Sequence, residues 1–161
     1  ISDVSSPASL TGVIAVGAHD REGNPWVDSA VGAQMDPETG EERTFPNQKP
    51  EILAPGVNLW SCRDSVRNPP YAFSTGTSDS TVMVTGALAL ILSLYGEHIA
   101  GENGVIELHE MHLVKVALAN SAQSDPSQLE AHHPKKGYGL LDAREWSKQV
   151  EIEFGITPKN T

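Results

Sequence analysis

A single cysteine, Cys62, occurs in the 161 residues, which excludes an intrachain disulfide and a cysteine-built zinc site. One thiol leaves the compartment open. Basic residues are scarce: 11 Lys+Arg against 21 Asp+Glu give a formal charge of −10 with histidines neutral. That shortage argues against sequence-independent nucleic-acid binding, which needs a cationic surface to neutralise phosphates, and against docking on anionic lipid. Long apolar runs are lacking too. The longest, residues 82–95, has 14 residues, short of the ~20 that span a bilayer, so no membrane span is expected. No basic stretch followed by an apolar one opens the chain, and its first residue is Ile1, so a processed, cut or engineered end is the expectation. No internal repeat is present.

Hydrophobic residues make up 39%, enough for a packed core. The run 82–95 is apolar on nearly all sides and predicts a helix buried at the centre of a domain. Gly86, Ala87 and Ala89 would let strands approach its axis. Four short segments read as strands: Val13-Ile14-Ala15-Val16, Glu51-Ile52-Leu53-Ala54, residues 57–61 and Tyr71-Ala72-Phe73-Ser74. Short, largely unalternating apolar strands point to a parallel sheet covered on both faces. An apolar stripe at helical spacing, Leu108, Met111, Leu113 or Val114, and Ala117-Leu118, predicts a second helix over about 107–120. The mixture is α/β. Residues 34–50, 100–104 and 123–136 have the composition of exposed loops, and the pattern fades after residue 150.

The chemistry concentrates at Gly76-Thr77-Ser78, where a strand meets the start of the apolar helix. Free backbone N–H groups and the positive end of the helix dipole favour negative charge there. A serine at that position can attack a carbonyl while its own N–H holds the oxyanion. The plainer reading is an N-cap serine. An anion site ranks last, because no lysine follows and P-loop spacing is absent. His109 and His112 are one residue short of H-E-x-x-H spacing and read as a solvated helix face. His132-His133 reads as exposed loop, and Trp26, Trp60 and Trp146 read as packing residues.

Six segments then occur in a telling order. They are Val13-Ile14-Ala15-Val16-Gly17-Ala18, Ser29-Ala30-Val31-Gly32, Lys49-Pro50-Glu51-Ile52-Leu53-Ala54-Pro55-Gly56-Val57, Tyr71-Ala72-Phe73-Ser74-Thr75-Gly76-Thr77-Ser78, Thr85-Gly86-Ala87-Leu88-Ala89-Leu90 and Gly137-Tyr138-Gly139-Leu140-Leu141-Asp142-Ala143. Taken in order, they resemble the C-terminal half of the catalytic domain of subtilisin-like serine proteases. The resemblance implies part of a three-layer α/β fold with a mostly parallel sheet and a buried central helix starting just after Ser78. Residues 1–147 would belong to that domain and 148–161 would be a terminal extension or linker stub.

By the same resemblance the chain belongs to a serine endopeptidase working through an acyl-enzyme. Ser78 is the implied nucleophile and backbone oxyanion donor, Thr77 the implied oxyanion support, and Ser74, Thr75 and Gly76 the implied substrate contacts. No cofactor is required for the chemistry. Structural calcium is a family trait, with Asp28, Asp36, Glu38, Glu41, Glu42 and Glu51 as available carboxylates. In this family the Asp and His motifs and an oxyanion Asn lie far upstream of the serine. Here only 77 residues precede Ser78, and neither D-[ST]-G nor H-G-[TS] occurs. The expected partner is therefore an N-terminal portion of the same protease, on the same precursor or a separate chain, and the expected substrate is a polypeptide. A secreted or extracellular setting is implied. Two departures stand out: Asp79 replaces the family's Met, and Val82 its Pro. They motivate an alternative, a non-catalytic subtilisin-like scaffold or binding subunit.

Overall fold

The structure is a computed structural model that describes residues 3–64, 66, 68–101, 103–126 and 130–157. Four strands and three helices follow in chain order: β1 (Val16–His19), β2 (Ile52–Pro55), β3 (Leu59–Cys62), β4 (Tyr71–Ser74), α1 (Thr77–Ile99), α2 (Leu108–Ser121) and α3 (Ala143–Glu153). Parts of two expected loops (Glu102 and residues 127–129) and of the expected extension (158–161) lie outside the described residues.

β1 and β2 pair in parallel, Val16 opposite Ile52 and His19 opposite Pro55. Residues 138–141 run along the other edge of β2. Leu53 N–H donates to Gly139 O at 2.9 Å and Leu141 N–H to Leu53 O at 2.8 Å. Gly137 holds this segment close, with φ of +65° and a virtual Cβ only 2.6 Å from Glu51 O, so no other residue fits without moving the backbone. β3 and β4 form a separate antiparallel hairpin, Trp60 opposite Phe73. The parallel pairing expected from sequence thus holds for β1 and β2 and continues at the Leu53–Leu140 bridge, while the hairpin is antiparallel.

β1 begins three residues later than the apolar run Val13–Val16 suggests, at Val16. The reason lies in where the backbone groups go. Val13 O accepts from Lys49 Nζ at 2.6 Å and Ala15 N–H donates to Glu51 Oε2 at 2.7 Å, so these groups are taken by side chains, and main-chain pairing begins only where Glu51 N–H donates to Ala15 O at 3.0 Å.

One core joins the elements. Val84, Ala87 and Ile91 of α1 meet Ile52 and Ala54 of β2, Val114, Ala117 and Leu118 of α2, and Trp146 and Val150 of α3. Trp146 is fully buried and its Nε1–H donates to Val114 O at 3.1 Å. Asp142 caps α3, its Oδ1 accepting from the N–H groups of Arg144 (3.1 Å) and Glu145 (2.9 Å). α3 continues past residue 148, and Val150 on it is fully buried against the core.

α1 is central, yet buried along one stripe only. Ser80, Val84, Ala87 and Ile91 face inward at helical spacing. On other faces Val82 is 69% exposed, Leu90 69% and Leu94 65%. At 23 residues α1 is also longer than the apolar run, and among the described residues it is the one helix long and apolar enough, by length and composition, to cross a membrane. Its inward stripe packs on the β1–β2 layer as a core helix does.

Three local expectations are corrected. Residues 34–50 are not simply an exposed loop, since Arg43, Pro46, Lys49 and Pro50 are buried. Lys49 and Lys115 share one carboxylate oxygen, Glu51 Oε1, at 2.8 and 2.7 Å. Their remaining protons go to the carbonyls of Leu10, Val13 and Thr11 and to Asn47 Oδ1. This pairing is what permits two ammonium groups to be buried. His132 is buried rather than exposed. Its Nε2 lies 2.9 Å from Pro50 O and its ring packs edge-on against Tyr138, and burial pushes its pKa below the usual imidazole value. Trp60 is not a packing residue of the core. It is 62% exposed and sits on the hairpin against Tyr71 and Phe73.

Candidate active site

The site begins with main-chain contacts. Gly76 N–H donates to Gly56 O at 2.8 Å, and Gly76 O accepts from Asp79 N–H at 3.2 Å and Ser80 N–H at 3.4 Å. Buried Ser80 donates its hydroxyl to Ala54 O at 3.0 Å, tying the first turn of α1 to the end of β2. Gly56 makes this approach possible. A Cβ there would lie 2.1 Å from Ser80 Oγ and 2.8 Å from both Ala18 Cβ and Gly76 O. Sequence reasoning singled out neither Ser80 nor Gly56 as site-building residues. The available signal was the glycine following Ala54-Pro55 at a strand end. Gly56→Ala is expected to force β2 and α1 apart, lower the unfolding free energy by ~1–3 kcal/mol and slow any reaction at the turn. Urea unfolding of the full-length protein checks this, and unchanged stability would refute it.

α1 starts at Thr77, so Ser78 lies inside its first turn rather than before it. Ser78 is exposed. Neither its hydroxyl nor its N–H has a hydrogen-bond partner among the described residues. The unclaimed N–H at the positive end of a helix is a ready donor for an oxyanion.

The hydroxyls of Ser74 and Thr75 are already engaged. Ser74 Oγ donates to Asp79 Oδ2 at 2.8 Å, and Thr75 Oγ1 accepts from Asn58 N–H at 2.9 Å. Thr77 O accepts from Thr81 Oγ1 at 2.8 Å. The structure thus gathers Ser74, Thr75, Gly76, Thr77 and Ser78 on one strand-to-helix turn. A cleft of about 310 Å³ opens beside Thr77, lined also by Asp3, Ala15, Gly17, Asp28 and Ala30.

Among the described residues no histidine bonds to Ser78. His19 Nδ1 lies 2.6 Å from Asp20 O, and His109 and His112 are exposed on α2, as their spacing suggests. The carboxylates offered for calcium do not converge: among the described residues no group of three or more His, Cys, Asp or Glu is arranged to hold a metal. Glu51 is committed to Lys49 and Lys115. Asp36 accepts from Thr11 Oγ1 at 2.7 Å, and this and neighbouring N–H donors hold its carboxyl below the usual range.

The site thus combines a parallel α/β layer, a hairpin leading into a helix, and an unpartnered serine in that helix's first turn. The chain belongs to the Subtilase family, whose family model matches residues 1–140. It is 37% identical over 92 residues to Subtilisin DY of Bacillus licheniformis, which covers 57% of this chain and 27% of that protein. Among solved structures it is similar to the prenylagaramide maturation protease PagA, with 28% identity and a TM-score of 0.61 over 90% of this chain and 45% of that one. The CspB protease of Clostridium perfringens, at 22% identity, a TM-score of 0.65 and 90% and 28% coverage, shows likeness of fold alone. The chain therefore spans less than half the length of these relatives.

Proposed function

We propose that this chain is the nucleophile-bearing portion of a subtilisin-like serine endopeptidase, completed by an N-terminal portion that supplies Asp, His and the oxyanion Asn. The observation that carries the reading is Ser78 in the first turn of α1, exposed, with an unpartnered hydroxyl and an unclaimed N–H. In this role Ser78 Oγ attacks the scissile carbonyl and passes its proton to the histidine of the other portion. The Ser78 N–H, with Thr77 beside it, holds the oxyanion. The protonated histidine then protonates the departing amine, and water hydrolyses the acyl-enzyme.

Two features support the missing portion. No base accompanies Ser78 among the described residues, and Val82, Leu90 and Leu94 of α1 are exposed. A groove of about 280 Å³ lined by Val13, Ile14, Val84, Leu88 and Met111 adds to this apolar surface. Exposed apolar area of that kind belongs against another part of a fold.

The test is a fluorophosphonate probe applied to the full-length protein, with the labelled peptide identified by mass spectrometry. Label on Ser78 is expected. A native protein that takes no label would overturn the peptidase reading. It would favour the non-catalytic scaffold that Asp79 and Val82, in place of the family's Met and Pro, bring into view.

A further inference from the structure

We infer that Asp79 is a specificity-determining residue that selects polypeptides with a cationic side chain flanking the scissile bond; the inference rests on Ser78 being the nucleophile. Asp79 follows Ser78 directly and lies in the same first turn of α1. Its carboxylate is fixed. Oδ2 accepts from Ser74 Oγ at 2.8 Å, which ties it to the end of β4, while Oδ1 has no partner among the described residues. A carboxylate so held keeps one oxygen free for a ligand without first ordering its own side chain.

The surroundings do not neutralise it. No lysine or arginine makes an ion pair with Asp79 among the described residues. The cleft on the Thr77 side is lined by Asp3 and Asp28 and by no basic residue. Lys135 donates to the carbonyls of Val27 and Ser29 and its charge compensates Asp28, whereas Asp79 has no such cation beside it among the described residues. A polypeptide reaching Ser78 thus enters the negative field of an Asp79 carboxylate that no lysine or arginine pairs with among the described residues. That field attracts a lysine or arginine beside the bond to be cleaved and repels an aspartate or glutamate. It also explains chemically what a carboxylate gains in the place where it opposes the developing oxyanion: it holds the substrate cation close to the reacting centre.

The bland alternative is that Asp79 only complements the dipole of α1. That role does not discriminate between substrates, which the following experiment exploits. Full-length protein is given three peptides that differ only in the residue flanking the scissile bond, Lys, Leu or Glu, with the substitution made in turn on either side of the bond. On one side, kcat/KM is expected to be about tenfold higher for Lys than for Glu at low salt, with the ratio shrinking as salt rises. Asp79→Asn keeps the shape and the acceptor for Ser74. It is expected to bring the two within about threefold while Ser78 still takes the fluorophosphonate label. Equal cleavage of the Lys and Glu peptides by the native protein, or a preference unchanged in Asp79→Asn, overturns the inference with the nucleophile reading intact. Absence of both label and cleavage overturns the nucleophile reading and this one with it.

Discussion

Replacing Ser78 by alanine is expected to remove the peptidase activity of the full-length protein and leave its stability untouched. The hydroxyl is exposed and unpartnered, so its loss breaks no contact and shifts unfolding free energy by no more than about 0.5 kcal/mol. Activity should fall to the ~10³–10⁴-fold acceleration over water that binding and an oxyanion hole supply without a nucleophile. Thr77→Val should cost far less, because the Ser78 N–H remains. Peptide hydrolysis alongside a thermal melt separates the two effects. A Ser78→Ala protein that cleaves at native rate would remove Ser78 from the mechanism. A large fall in melting temperature would show that the serine holds the turn together instead.

Glu51→Gln is expected to be the most damaging single change to stability. Glu51 Oε1 receives both Lys49 and Lys115, and Oε2 receives Ala15 N–H at 2.7 Å, all of them buried. Glutamine keeps the size and one acceptor but leaves two ammonium groups without a counter-charge. Breaking a buried pair from one side costs about 3–5 kcal/mol, readable as a drop in urea midpoint of the full-length protein. The cluster also fixes a pH signature. Burial outweighs the attraction of Glu51 and brings the Lys49 pKa from 10.5 down to about 8. Between those values the unfolded chain holds more protons than the folded one, so this group adds stability as pH rises from 8 to 10.5. The native protein should therefore gain on Lys49→Met across that window. A constant difference would show that burial does not favour the neutral amine and that Lys49 stays protonated in the fold across that window.

The strand-to-helix turn at Ser78 is legible in the sequence, for a physical reason. That turn, its helix and the strand ending in Ala54-Pro55-Gly56 are local features, set by neighbours in sequence. What escaped was long-range. Lys115 meets Glu51 across 64 residues of chain, and His132 reaches Pro50 across 82. Charged residues read as surface by default, and nothing local announces the partner that lets them go inside. Trp60 failed in the opposite sense. A large aromatic reads as core, but the hairpin gives it only Tyr71 and Phe73 to lean on. The extent of α1 burial was hidden because an all-round apolar helix states only that cover is needed, not which part of the molecule provides it.

The turn that presents Ser78 has one further consequence. Its position is set by the Gly76 N–H on Gly56 O, by Ser80 on Ala54 O, and by the absence of a side chain at residue 56. Two of the groups that meet are carbonyls, which every residue has. The outward side chains of α1 take no part. The serine is thus insulated from change over much of its own helix. Substitutions at exposed positions such as Leu90 or Leu94 can change the outer surface of the helix while the Ser78 hydroxyl stays where it is. Assembly and chemistry, though carried on one helix, are free to vary separately.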